Sequence, residues 1–193
     1  MKEEGEMGKP VWLLDIDGVI NSISVKEPKH IWPSTSWERG EVQNSLSPEK
    51  WPMLWSRDVV DFILTIHADD LAEIRWHTTW QEEAVLVSEL VGLPEFPIAK
   101  CPEFRENGSV VAAEQMREGR PGWWKYMTAE RVLVEEKRPL IWTDDDITWE
   151  MTRIHRAQLA LKGEVLFICP DQATGLTPKH LEKIGQKLEV WNG

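Results

Sequence analysis

An open α/β sheet with mainly parallel strands, in a single domain over residues 1–193, is the fold that this sequence predicts. Three observations carry it. Continuous apolar runs recur at Val11–Leu14, Leu140–Thr143 and Val165–Ile168, as expected of strands buried on both faces. Strand-like runs alternate with segments of helical periodicity, the pattern of βαβ units. Composition is 41 % apolar and 28 % charged over 193 residues, enough for a real core and too apolar for disorder.

The first strand, Val11–Leu14, enters Asp15-Ile16-Asp17-Gly18. From Asn21 to about Pro52, Pro, Ser, Trp and charged residues follow without period; this insertion, residues 19–52, reads as a long loop or hairpin flap. Ser56 stands as the N-cap of a helix with Val59, Val60, Ile63 and Ile66 on its apolar face. A strand over Glu73–His77 follows the turn at Asp69-Asp70, and Thr79 with Glu82 has capping-box spacing for a helix ending near Gly92. Phe96-Pro97-Ile98 suits a short edge strand, and residues 99–122 form a polar loop insertion. Then come a helix over Trp124–Glu135, the strand Leu140–Thr143, a helix over Thr148–Leu161 and the strand Val165–Ile168. Thr177-Pro178 opens a last helix with Leu181, Ile184 and Leu188 in line.

With 33 acidic against 22 basic side chains the net charge is −11, which argues against a broad nucleic-acid-coating surface but leaves room for a small site taking one phosphorylated end. Two cysteines, Cys101 and Cys169, make neither a disulfide scaffold nor a metal-ligand spacing, so a reducing compartment, the cytoplasm, is expected. The polar, acidic start Met1–Glu6 does not read as a signal peptide, and no apolar stretch suits a membrane span, so no membrane partner is expected. Twelve Trp against one Tyr is the compositional oddity.

In an open α/β sheet, ligands bind beyond the carboxyl ends of the strands. Three expected strands end there in reactive residues: Asp15-Ile16-Asp17-Gly18, His77-Thr78-Thr79 and Asp144-Asp145-Asp146. Clustered carboxylates repel one another unless a cation sits among them, and a few hard oxygen ligands suit Mg²⁺ with a substrate phosphate. A carboxylate can also attack phosphorus and split hydrolysis into two easier steps. Each feature alone fits a plainer role: a surface turn at Asp15–Gly18, a helix cap at Thr79, a solvated lysine at Lys125, an acidic loop at Asp144–Asp146. Their order and strand context favour a site.

Leu13-Leu14-Asp15-Ile16-Asp17-Gly18-Val19-Ile20-Asn21 resembles the first motif of the haloacid-dehalogenase (HAD) superfamily of phosphatases. Trp76-His77-Thr78-Thr79-Trp80 is similar to the second, Lys125 to the third and Leu140-Ile141-Trp142-Thr143-Asp144-Asp145 to the fourth. The Trp-rich forms and Thr174-Gly175-Leu176-Thr177 further resemble small HAD domains associated with RNA-repair proteins. The resemblance implies a three-layer Rossmann-like core with minimal or absent cap and a Mg²⁺-dependent phosphate monoester hydrolase working through an aspartyl-phosphate. It implies Asp15 as nucleophile and metal ligand, and Asp17 as general acid/base with its carbonyl on Mg²⁺. Thr78 would bond phosphoryl oxygens, Lys125 would stabilise charge, and Asp144 with Asp145 would hold the metal. Lys137 and Arg138 stay open as alternatives to Lys125.

The short insertions suggest an open site suited to a large or polymeric substrate end. Lys26, Lys29, His30, Arg39 and Arg105 offer positive charge there, and Trp32 and Trp37 offer aromatic faces or simply pack under the loop. Arg39, Trp37, Thr78 and Thr79 are the expected substrate contacts. Cys101, Cys169, His67 and His155 are expected to be structural or surface residues, and His77 to point away from Thr78. The expected partner is a phosphorylated substrate, with a nucleotide or nucleic-acid end as the narrower reading. A HAD-fold binding protein without turnover and a receiver-like phosphoacceptor are the rivals.

Overall fold

Val11–Leu14, four apolar residues without polar alternation, form strand β1, and all four are fully buried. They lie at the centre of a computed structural model that describes residues 8–45, 48–100 and 123–193. Parallel to β1 run β4 (Glu73–Trp76) on one side and β5 (Leu140–Thr143) on the other, with β6 (Val165–Ile168) beyond β5. Phe96-Pro97-Ile98 adds a single parallel bridge, Trp76 to Ile98, on the free side of β4.

Because β1 is apolar on both faces, the sheet needs cover on both. One face carries Trp12, Leu14, Ile74 and Trp76 against α1 (Arg57–Ala68), α2 (Ala84–Val91) and the last helix, α6 (Pro178–Asn192). The other carries Val11, Leu13, Leu140 and Trp142 against α3 (Trp124–Val134), α4 (Ile147–Glu150) and α5 (Arg153–Ala160). Buried tryptophans thus fill both layers. Among the described residues, no helix is long and apolar enough to cross a membrane.

The insertion after Gly18 contains an antiparallel hairpin, β2 (Trp37–Val42) with β3 (Trp51–Ser56), whose second strand runs past Pro52 to the start of α1. Ser56 occupies the N-cap position, but its hydroxyl is buried and caps nothing. The expected Thr79–Glu82 capping box does not form either. The chain turns at Gln81 (φ 47°), Trp80 N–H donates to the Thr78 hydroxyl at 3.4 Å, and α2 begins only at Ala84. The helix expected over Thr148–Leu161 is two helices. Thr152 accepts from His155 N–H at 3.2 Å while His155 Nδ1 accepts from Thr152 N–H at 3.3 Å, so a new N-cap interrupts the run. Most of the 99–122 insertion, with Cys101 and Arg105, lies outside the described residues, as does Met1–Glu6.

At the opposite end of the sheet, Arg75 donates to Glu73 (2.7 Å) and bidentately to Glu136 (2.8 Å each), and Arg138 also bonds Glu73. These hydrogen bonds, Arg75's foremost, hold Glu73 down at about 2, and Arg75 likewise lowers Glu136. A depressed carboxyl adds stability above its ordinary pKa that is lost as pH falls through its folded value. Stability should therefore decline from about pH 4.5 toward about pH 2, and Arg75→Met should flatten that limb in acid-unfolding curves monitored by circular dichroism.

Candidate metal and acid–base site

In the parallel register Leu14 pairs with Trp76 on one side and Thr143 on the other. The first residues past β1 and β5, Asp15 and Asp144, therefore emerge side by side where the chain changes direction across the sheet. Asp15 N–H donates to the Thr143 carbonyl at 3.1 Å, and Asp144 N–H to that of Ile168 at 3.0 Å.

Lys125, in the first turn of α3, closes the pair. Its Nζ donates to Asp15 Oδ2 at 2.5 Å and to Asp144 Oδ2 at 2.7 Å, and lies 5.6 and 5.9 Å from the ring centroids of Trp123 and Trp124. The remaining oxygens are also engaged: Asp15 Oδ1 accepts from Ile16 N–H at 2.8 Å and Asp144 Oδ1 from Asp146 N–H at 3.0 Å. Asp144 is 0 % exposed and Asp15 6 %, so of the two Asp15 is the one with surface open to solvent. Arg138, by contrast, is committed to Glu73 and Glu136, and Lys137 sits in a turn with φ 54°.

Asp145 completes the cluster: Asp15, Asp144 and Asp145 each offer an oxygen within 4.8 Å of the others. Octahedral oxygens at 2.0–2.1 Å from a small cation stand about 2.9–4.2 Å apart, so small side-chain rotations suffice for the three to share one ion. Burial pushes the Asp144 carboxyl up to about 8, with Asp15 adding and Lys125 subtracting. Burial, then Asp146 and Asp15, raises Asp145 to about 6. Burial opposes the Lys125 charge, but Asp15 and Asp144 outweigh it and hold the ammonium above its ordinary range. Once all three carboxyls are ionised, as ligation of a cation requires, three carboxylates against one ammonium leave two negative charges, which a divalent cation neutralises. The donor set fits a hard divalent ion.

Gly18 makes the approach of Asp145 possible. At φ 71°, a Cβ there would fall 2.3 Å from Asp145 Cγ. Gly18→Ala should cost about 1–2 kcal/mol for the left-handed backbone and displace Asp145 besides. Denaturant unfolding with and without a divalent cation separates the two effects, the second appearing as weakened ion binding. Behind this turn, Gly175 (φ 64°) brings Leu176 N–H to the Val19 carbonyl at 2.8 Å.

Asp17 is not in the cluster. Its Oδ1 accepts from Asn21 Nδ2 at 2.7 Å and its Oδ2 from Trp80 Nε1 at 2.8 Å, and it lines a cavity of about 520 Å³ with Thr79, Trp80 and Trp51. Thr78 is buried two residues past the end of β4, and Thr79 is exposed. His77 is enclosed by Trp124 and Trp142 at 5.2 and 5.5 Å, and neither ring nitrogen has a partner among the described residues. Burial, then Lys125, holds its pKa well below the ordinary value, so the ring is neutral. Asn21 and Trp80 figure in the sequence only as members of the first and second motif-like stretches, with no bond to Asp17 expected, although an Asn four residues past an Asp is placed to reach back to it.

No protein-family model matches the chain, and no curated protein or solved structure matches it either. What the site does must be argued from its own residues.

In the insertion, Trp32 is buried with Nε1 donating to the Leu176 carbonyl at 3.0 Å, and Trp37 packs on the core with a buried indole nitrogen. Arg39 is exposed, donates to the Val25 carbonyl at 3.4 Å and pairs with Glu27 at 3.6 Å. With Lys26, Lys29 and His30 it surrounds a surface cavity of about 590 Å³. Cys169 donates to the Asp145 carbonyl at 3.1 Å, a structural contact.

Proposed function

We propose that this chain is a Mg²⁺-dependent phosphate monoester hydrolase of the haloacid-dehalogenase type, acting through an aspartyl-phosphate. The observation that carries the reading is the Asp15–Lys125–Asp144 cluster, with Asp145 beside it, at the carboxyl ends of adjacent parallel strands. Asp15 attacks phosphorus while the bond to the ester oxygen breaks, and that oxygen takes a proton from Asp17. A water then attacks the phosphoaspartate and gives its proton to Asp17. The phosphorus–Asp15 bond breaks, releasing phosphate and restoring both side chains. Lys125 and Thr78 hold the phosphoryl oxygens, where charge stabilisation matters most. Asp15, Asp144 and Asp145 hold Mg²⁺, which when bound supplies positive charge against the phosphoryl group. Asn21 and Trp80 orient Asp17. Low cysteine usage supports the cytoplasm as the setting.

A hydrolysis screen across sugar phosphates, 3′- and 5′-nucleotides and phosphate-ended oligonucleotides, with Mg²⁺ and with chelator, tests the reading. Turnover should require the metal, and saturating Mg²⁺ should stabilise the fold by about 2.7 kcal/mol at a hundredfold excess over Kd. Stabilisation without turnover on any ester would instead indicate a binding protein. No turnover and no stabilisation would overturn the proposal.

A nucleotide or nucleic-acid end is the narrower reading, favoured by Lys26, Lys29, His30 and Arg39 around one cavity, against the single acidic Glu27. A preference for a phosphate-ended oligonucleotide over the free mononucleotide, lost in Arg39→Ala, would support it; Trp37 packs on the core and is left in place. Equal rates would remove it.

A further inference from the structure

Large apolar side chains left exposed are uninformative singly but telling when they share one cavity. Ile23, Val25 and Trp51 are 50 %, 91 % and 47 % exposed, and all three line a cavity of about 610 Å³ between the 21–25 segment and the β2–β3 hairpin. Met53 and Leu54 form its floor, and Arg39 is the one charged side chain among the described residues on its wall. That volume falls within the range of small-molecule sites, whose walls are mostly apolar with few polar groups.

Two connections run from this cavity to Asp17. Asn21, on the wall, accepts from Leu54 N–H at 2.9 Å through Oδ1 and donates to Asp17 Oδ1 at 2.7 Å through Nδ2. Trp51 meets Trp80 edge to face with ring centroids 6.4 Å apart, and Trp80 donates to the other Asp17 oxygen at 2.8 Å. An occupant would therefore lie beside the residues that fix Asp17.

We infer that this cavity binds a flat aromatic ring bearing an anionic substituent, and serves as the subsite for the organic part of the phosphoester. The ring lies against Trp51, and the anion meets Arg39. The subsite role rests on the phosphatase reading; the ligand class rests on the cavity alone. The wall is mostly apolar, with Asn21, Ser22, Ser24 and Arg39 as its polar members, which favours a ring over a polyol.

Two measurements separate these. Calorimetric titration with naphthalene-2-carboxylate, which has the ring and anion but no ester, reads the cavity directly. Binding should weaken about 10-fold in Trp51→Ala, and similarly in Ile23→Asp, which sets a negative charge on the wall at an exposed position. The second measurement is the ratio of kcat/KM for (6-carboxynaphthalen-2-yl)methyl phosphate to that for glycerol 1-phosphate, both esters of primary alcohols. It should exceed unity by at least about 10-fold and collapse in both variants. No naphthoate binding, or binding indifferent to both substitutions, would overturn the inference. A ratio near unity with naphthoate binding intact would overturn the subsite role. Absence of hydrolysis of either ester, with naphthoate bound and weakened by the variants, would count against the phosphatase reading and uphold the ligand class.

Discussion

On the phosphatase proposal, Asp15→Asn should abolish turnover, by on the order of 10⁴-fold or more, while the fold survives. The amide has no lone pair strong enough to displace the ester oxygen, so no phosphoaspartate forms. The fold survives because Lys125 keeps Asp144 at 2.7 Å and the Asn carbonyl can still accept from Ile16 N–H. The amide nitrogen then faces Lys125 Nζ, so one charge-assisted hydrogen bond is lost, about 1.5–3 kcal/mol. Steady-state rates and a denaturant midpoint on the same preparation test this. Activity lost only in step with unfolding, or a fully active variant, would take Asp15 out of the role. Asp17→Asn should act differently, slowing proton transfer by about 10²–10⁴-fold. Its substitution also places an amide against the donors Asn21 Nδ2 and Trp80 Nε1.

Strands were legible in this sequence where apolar runs are continuous: β1 and β5, buried on both faces, and β6, half-buried at the sheet edge, begin and end where those runs do. The acidic residues that follow β1 and β5 were legible for the same reason, since a parallel register fixes which residue emerges beside which. What depended on a single local hydrogen bond was not legible. Thr79-x-x-Glu82 has the capping pattern, yet Trp80 is drawn to Asp17, 63 residues away in sequence, and the helix starts late. Thr152-x-x-His155 lacks the usual Glu or Gln, yet the imidazole Nδ1 accepts as well and divides a helix in two. A hairpin is one of two readings that the sequence allows for the insertion, but its strands were not legible because only one has a buried run, Met53–Ser56, while Trp37–Val42 is largely half-exposed and charged. Asp17's surroundings hid because Asn21, Trp80 and Trp51 come from three segments with no shared pattern.

Lys125→Met should be the most destabilising single change at the site, by about 3–5 kcal/mol, because it leaves Asp15 and Asp144 buried without their shared cation. Methionine fills the space of the lysine stem, so packing against Trp123 and Trp124 is largely kept and the loss reports charge. Were Lys125 a solvated helix-face residue, the change would be within about 0.5 kcal/mol. A double-mutant cycle isolates the electrostatic part. Asp144→Asn in the Lys125→Met background removes one of the stranded charges and should recover stability, whereas in the wild-type chain it should cost stability by breaking a pair. Opposite signs for one substitution in two backgrounds are hard to obtain from packing alone. Divalent cation supplies an independent control, since the variant cluster carries one more uncompensated negative charge than the wild type. Mg²⁺ should therefore raise the unfolding midpoint of Lys125→Met by more than it raises that of the wild-type chain. Equal shifts in the two proteins would mean that Lys125 and the ion do not act on the same carboxylates.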